Sequence, residues 1–430
     1  MFKRFNKFMY CCTFLSIFVF SNLFYNSSLV YADNKFDSNP CADGVVLMDA
    51  KSGEILYSKN MNSPYPPAST TKIMTALLTL ENCSDLEEIV TIDKKCESVD
   101  GSKIYLFQDE KISVKNLLYS LLLSSANDSA YALAEHVGGT FDNFITMMNT
   151  RAKELGCTNT NFVNPHGLYD DKHRTTANDL ALIMNELVKH EEYLTISGTK
   201  SYSIPPTNKC KDARPLWNGN KAIHEANSTY YKNCKASKTG YTIQSLHSYI
   251  SYAKKDNQEL IVALLHDKDK QFYTDSKKLF EFGFKNFETR KILSKGDEVT
   301  TYPLNDNTSI SLISDKDIYV TMSKDLPNND VLTVPSINLN DMNLDKQTIK
   351  KGDSIKEISV TYGDKKFPIT LLSNTEHNPP VSIITTKSKS SWLKYVLISS
   401  VILLIIAVIA RRNIIKNRKS RLNRYNRRKK

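Results

Sequence analysis

The stretch Pro66-Pro67-Ala68-Ser69-Thr70-Thr71-Lys72-Ile73-Met74-Thr75-Ala76-Leu77-Leu78-Thr79-Leu80 carries the first decision about this chain. Two prolines stop regular structure. Beyond them Ile73, Ala76, Leu77 and Leu80 recur at i, i+3, i+4 and i+7, so a buried helix starts near Ser69. A hydroxyl and a lysine three residues apart then share one helix face. They sit at an N-terminus whose free N–H groups and partial positive charge favour a developing anion. Ser69 also reads as a plain N-cap, and Lys72 as a solvated first-turn lysine. The pair gains its meaning from two further pieces.

The first is Ser125-Ala126-Asn127, in a short break between Leu117/Leu118/Leu121/Leu122 and a second apolar run holding Tyr131, Leu133 and Ala134. A loop buried between helices must satisfy its polar groups. Ser125 can relay a proton and Asn127 can hold an amide; the plainer reading is a turn with Asp128 capping the next helix. The second is Lys238-Thr239-Gly240, in a strand-compatible run. Gly240 leaves room for a substrate backbone beside a strand edge, and Lys238 and Thr239 can hold a carboxylate. Together the three pieces supply a nucleophilic hydroxyl, a base, a second hydroxyl with an amide, and a cation beside a hydroxyl, which is the inventory for acyl transfer through a serine ester. Short patterns alone prove little. Ser391-Trp392-Leu393-Lys394, Ser336-Ile337-Asn338 and Lys51-Ser52-Gly53 match the same three patterns. Order and local context select the first set.

Around these pieces, Gly44–Met48 and Glu54–Tyr57 read as a hairpin, Ala177–Val188 as a helix, and Ser248–Ala253 with Leu260–Leu265 as a second hairpin. Strands, many helices, then strands predict an α+β fold with one antiparallel sheet covered by helices. From about Lys291 short alternating runs (Thr308–Ile313, Ile318–Met322, Ile358–Tyr362, Phe367–Leu372) predict a small all-β domain, followed by a polar stalk. No internal repeat is present.

At 430 residues the chain holds two domains and more. The net charge of +11 does not mark a nucleic-acid binder, because residues 411–430 alone carry eleven Lys/Arg and no acid. Residues 1–32 combine Lys3, Arg4 and Lys7 with an apolar run and Val30-Tyr31-Ala32, and are expected to be a cleaved export signal, an uncleaved anchor being the alternative. Residues 392–410 reach about 28 Å as a helix, enough to span a bilayer core, with the basic tail on the cytoplasmic side by the positive-inside rule. Tail contact with anionic lipid is a further expectation. Beyond the signal lie Cys41, Cys83, Cys96, Cys157, Cys210 and Cys234. Pairing (Cys83 with Cys96, Cys210 with Cys234) and free thiols both remain open. No CxxC or His cluster marks zinc, and His166 and His173 read as loop-packing residues.

The chain resembles the low-molecular-mass penicillin-binding proteins, the serine D-Ala-D-Ala carboxypeptidases of peptidase S11 type, within the serine β-lactamase and penicillin-binding superfamily. The resemblance rests on Pro67–Ala76, Leu123-Ser124-Ser125-Ala126-Asn127-Asp128, Asn164-Pro165-His166-Gly167-Leu168, Ala177-Asn178-Asp179-Leu180-Ala181 and Lys238-Thr239-Gly240-Tyr241-Thr242. It is strong over about 40–290 and looser over 291–375, where that family has a small β-sandwich. The division it implies is signal 1–32, catalytic domain 33–290, β-sandwich 291–374, stalk 375–391, transmembrane helix 392–410 and tail 411–430.

The resemblance implies Ser69 as acylated nucleophile and Lys72 as its base. Ser125 and Asn127 would move protons and bind peptide, and Lys238 and Thr239 would bind the terminal carboxylate. The N–H groups of Ser69 and Tyr241 would form an oxyanion hole, and Arg214 lies where the family often has an arginine near that carboxylate. No metal or cofactor is implied. Expected partners are a peptidoglycan stem peptide ending in D-Ala-D-Ala, β-lactams as covalent inhibitors, and membrane lipid around the span. β-Lactamase activity and a catalytically weak sensor are the alternatives. Two departures stand out: Ser245-Leu246-His247 replaces the family's small Ala-Gly pair, and a true span replaces the amphipathic anchor of many relatives.

Overall fold

The computed structural model describes residues 36–304, 308–325, 330–335, 342–379 and 390–426. The expected signal, Ser336-Ile337-Asn338, most of the stalk and residues 427–430 lie outside them. The chain divides into two compact units, one of residues 1–300, 312–337 and 354–372, the other of 301–311, 338–353 and 373–430.

In the first unit, strands β1 (Ala42–Asp49) and β2 (Ile55–Lys59) open the chain. Two small hairpins follow, from β3 (Ile89–Thr91) with β4 (Lys111–Ser113) and from β5 (Ser201–Ile204) with β6 (Arg214–Trp217). Then come β7 (Cys234–Thr242), β8 (Leu246–Lys255) and β9 (Gln258–Asp267). The main sheet is antiparallel in the order β2-β1-β9-β8-β7. It is apolar on both faces, and its side chains alternate between two cores. Val46, Met48, Ile250, Tyr252, Ile261, Ala263 and Leu265 face one, whereas Val45, Leu47, Tyr249, Ala253, Leu260, Val262 and Leu264 face the other.

The first core is filled by helices α1 (Lys72–Asn82), α2 (Val114–Leu123), α3 (Asn127–Gly138), α4 (Phe141–Glu154), α5 (Ala177–Leu187) and α6 (Glu191–Gly198). Helix α1 is buried from Lys72 to Thr79, so it has no solvent-exposed face on its first two turns. The second core is closed by α7 (Phe272–Asn286) through Phe272, Leu279, Phe280 and Phe284. Next, β10 (Phe287–Leu293) pairs with Ile318–Ser323, and Ser354–Tyr362 pairs with Lys365–Ser373. Asp49 accepts from Thr289, Ser52 Oγ lies 2.6 Å from Thr321 Oγ1, and Glu54 pairs with Lys365. The decoy Lys51-Ser52-Gly53 is thus the β1–β2 turn.

In the second unit the last helix, α8, runs Ser390–Asn426. Its stretch Trp392–Arg421 is long and apolar enough to cross a membrane, the one such helix among the described residues. The third decoy, Ser391–Lys394, is in its first turns.

Phe280 is 1% exposed and stacks 5.8 Å from Tyr231. Phe280→Ala should cost about 3–5 kcal/mol, read from denaturant unfolding; a cost under about 1 kcal/mol would mean that α7 does not close this core.

Candidate active site

Ser69 does not open the α-helix itself. It lies in a 3-10 turn, Ala68–Thr71, and α1 begins at Lys72. Ala68 is left-handed at φ 50°, which turns the chain out of Pro66-Pro67 into the helix. Two hydroxyls tie this turn down: Thr70 donates to Pro67 O at 2.6 Å and Thr71 to Ala68 O at 2.8 Å.

Lys72 is fully buried, and no carboxylate touches it. Its Nζ lies 2.6 Å from Asn127 Oδ1, 2.7 Å from His166 O and 3.0 Å from Ser69 Oγ. Burial first, then the charge of Lys238, hold this amine well below the ordinary lysine range. Asn127 Oδ1 and the His166 carbonyl can only accept, so Nζ–H groups donate to both, and Ser69 Oγ is the third partner of the amine.

Asn127 opens α3. Its Nδ2 donates to Asp100 O at 2.6 Å, which fixes Oδ1 toward Lys72, and its N–H donates to Ser102 O. Ala126, not Asp128, is the N-cap residue. The buried Asp128 carboxylate accepts from the first-turn N–H of Ser129 and from the N–H groups of Ile104 and Leu106, pinning the 102–106 segment beside Asn127. Ser125 holds a left-handed backbone at φ 57°, a strained position for a non-glycine residue. Its Oγ lies 3.0 Å from Lys238 Nζ, which also donates to Thr239 O at 2.8 Å. Burial pushes Lys238 down to about 7.

Lys238, Thr239, Gly240 and Tyr241 lie on β7, the sheet's edge strand. A Cβ on Gly240 would come within 2.8 Å of Ser69 N and 2.9 Å of Ala68 Cβ, so only glycine lets the edge pass this close to Ser69. Tyr241 is exposed and stacks on His247 at 4.6 Å. In the departure from the family pattern, Thr242 and Ser245 share a hydroxyl contact of 2.5 Å and Leu246 takes a left-handed φ of 53°.

Two histidines do more than pack loops. Asn164 Oδ1 accepts from Gly167 N at 2.6 Å, and this turn aims His166 O at Lys72 and Pro165 O at Thr75 Oγ1. Burial, Lys72 and His173 push the His166 ring down to about 3. Gly167 packs so tightly that a Cβ would meet Ala68 O at 1.9 Å. Burial pushes His173 down to about 4, so its ring is neutral. Its Nδ1 accepts from Val163 N at 3.0 Å, which leaves the proton on Nε2 for Thr71 Oγ1 at 2.8 Å. His173 thus supports, through Thr71, the turn that carries Ser69. The turn-forming composition of Asn164–Leu168 was the only sequence signal of this.

Arg214 hydrogen-bonds to none of Ser69, Lys72 and Lys238. Its guanidinium donates to Glu110 at 2.7 and 2.9 Å and to Tyr105 O at 3.5 Å. Burial would raise Glu110, but the hydrogen bonds from Arg214, Thr207 and Phe107 N outweigh it and hold the carboxyl below its ordinary value. The Glu110 side chain is 0% exposed. Arg214→Ala should therefore destabilise the unit by about 3–5 kcal/mol by leaving a buried charge unpaired; an unchanged denaturation midpoint would show that the pair holds nothing together.

The family model for D-alanyl-D-alanine carboxypeptidase, peptidase S11, matches residues 34–269, and the model for the penicillin-binding protein 5 C-terminal domain matches 287–376. D-alanyl-D-alanine carboxypeptidase DacF of Bacillus subtilis is 31% identical over 322 residues, covering 73% of this chain and 77% of the relative. DacA of Haemophilus influenzae is 31% identical over 343 residues, covering 75% and 82%. Among solved structures, penicillin binding protein 5 from Haemophilus influenzae superposes with a TM-score of 0.64 at 29% identity, covering 79% of this chain and 98% of that one. The Streptomyces K15 DD-transpeptidase gives 0.54 at 28% identity, covering 58% and 98%. The chain belongs to the peptidase S11 family of D-alanyl-D-alanine carboxypeptidases, serine hydrolases, and has the fold of penicillin-binding protein 5.

Proposed function

We propose that this protein removes the terminal D-Ala from peptidoglycan stem peptides through an ester on Ser69, and that β-lactams acylate the same hydroxyl. The observation that carries the proposal is the fully buried Lys72 amine, whose Nζ lies 3.0 Å from Ser69 Oγ. Lys72 takes the Ser69 proton as Oγ attacks the carbonyl of the penultimate D-Ala. The oxyanion is held by the N–H groups of Ser69 and Tyr241. The tetrahedral adduct collapses, the C–N bond breaks, and the leaving amine takes a proton relayed through Lys72 and Ser125. Water then attacks the acyl-enzyme, the ester C–O bond breaks, and Ser69 regains its proton.

Asn127 binds the peptide amide and orients Lys72. Lys238 and Thr239 bind the terminal carboxylate, with Gly240 giving the peptide room along the β7 edge. Arg214, which the resemblance sets near that carboxylate, is itself paired with Glu110. The division into signal 1–32, catalytic domain 33–290, β-sandwich 291–374, stalk 375–391, span 392–410 and tail 411–430 is part of the same proposal. The catalytic domain is exported and held at the outer membrane face by the span, and the basic tail remains in the cytoplasm.

The test is D-Ala release from diacetyl-Lys-D-Ala-D-Ala by the full chain in detergent micelles, beside fluorescent penicillin labelling. The wild type should release D-Ala and take the label, and Ser69→Ala should lose both. A label that persists in Ser69→Ala would overturn the assignment. Labelling without D-Ala release would favour a sensor, and release of penicillin within seconds a β-lactamase.

Lys238 must be charged to hold a carboxylate, and it loses its proton near pH 7. The kcat/KM for this peptide should therefore fall as pH rises through about 7. A flat profile to pH 9 would remove Lys238 from carboxylate binding.

A further inference from the structure

The helices α1 and α3 both start at the active site, one at Lys72 and the other at Asn127. Their opposite ends also meet. Cys83 caps the C-terminus of α1 and His136 lies in the last turn of α3. With Glu88, on the segment leading into β3, they form the one cluster of metal-ligand side chains among the described residues. The Cys83 Sγ, a Glu88 carboxylate oxygen and a His136 ring nitrogen all lie within 4.8 Å of one another. His136 Nε2 is 3.5 Å from Glu88 Oε1.

Three atoms so spaced fit a circle of radius no greater than 4.8 Å/√3, about 2.8 Å. Shifts of less than about 1 Å then bring each to the roughly 2.0–2.3 Å of a zinc–ligand bond. A thiolate, an imidazole and a carboxylate select a borderline transition metal and disfavour calcium and magnesium, which take oxygen ligands. Both helices direct their negative ends here, which favours a cation. Glu88 is half exposed, so an ion can enter and a water can complete a tetrahedron. Cys83 itself is buried. Burial and the Glu88 charge raise its thiol, and a bound cation would reverse that environment and displace the thiol proton to solvent.

We propose that Cys83, Glu88 and His136 form a structural binding site for a divalent transition metal of the zinc class. The ion clamps the far ends of the two helices whose near ends carry Lys72 and Asn127. Cys83 follows Lys72 by eleven residues and His136 follows Asn127 by nine, which separates the clamp from the active site by roughly 14–17 Å, so the ion takes no part in the chemistry there.

The full chain, purified in detergent micelles, would be stripped with chelator, loaded with Zn(II) or Co(II), and dialysed. One equivalent of zinc should remain, and Co(II) should give a thiolate-to-metal charge-transfer band. Zinc should also raise the thermal midpoint. Cys83→Ser should abolish the band, whereas Cys210→Ser should keep it. Glu88→Gln, at a more exposed position, should weaken zinc binding by more than the roughly 10-fold seen for loss of an outer-shell partner. Should Cys83→Ser fail to fold, the cobalt band and Glu88→Gln decide the matter. A folded wild type that retains no metal and shows no band, a band that survives Cys83→Ser, or unchanged affinity in Glu88→Gln would each overturn the site.

Discussion

Burial and then the charge of Lys238 hold the Lys72 amine well below the ordinary lysine range against the opposing pull of the Asp128 carboxylate, and the rest of the site is built around that amine. The first two turns of α1 are buried all round, so the helix that carries Lys72 runs through the interior of its layer. Its polar needs are met by a side-chain amide and a main-chain carbonyl, neither of which brings a full negative charge. Each neighbouring element is placed by the need to supply one of those groups. The α2–α3 junction delivers Asn127, the Asn164–Leu168 turn delivers a carbonyl, and β7 delivers a second buried cation that works against protonation.

What could be read from the sequence follows from which atoms do the work. Ser69, Lys72, Ser125, Asn127 and Lys238 meet through their side chains, and their residue types and spacing mark them in the sequence. His166 acts through its carbonyl, which no residue type signals, and His173 acts through Thr71, about a hundred positions away. The Arg214–Glu110 pair joins segments 104 residues apart, so neither partner advertises the other. The same holds for Cys83, Glu88 and His136, which share no ligand spacing.

The main-sheet strands and α1, α2 and α5 were legible because buried apolar periodicity is strong there. Helix α3 begins at Asn127, four residues before Tyr131, since its first turn is given over to polar Asn127, Asp128 and Ser129. Helix α7 escaped notice because its aromatic residues sit among lysines and acids. The texture change at Lys291 falls inside β10, which starts at Phe287. The Ser245-Leu246-His247 departure leaves the β7–β8 pairing intact from Thr242 opposite Leu246 onward. Its effect is local: a left-handed leucine where a glycine would sit without strain, and an imidazole under the Tyr241 ring.

None of the six cysteines beyond the N-terminal segment forms a disulfide, and Cys83, Cys96, Cys157 and Cys234 are buried. Stability therefore comes from the two apolar cores, with no covalent cross-link to close any loop. A chain built this way reaches its native state without an oxidant or a disulfide isomerase to sort pairings, and reducing conditions leave the fold whole.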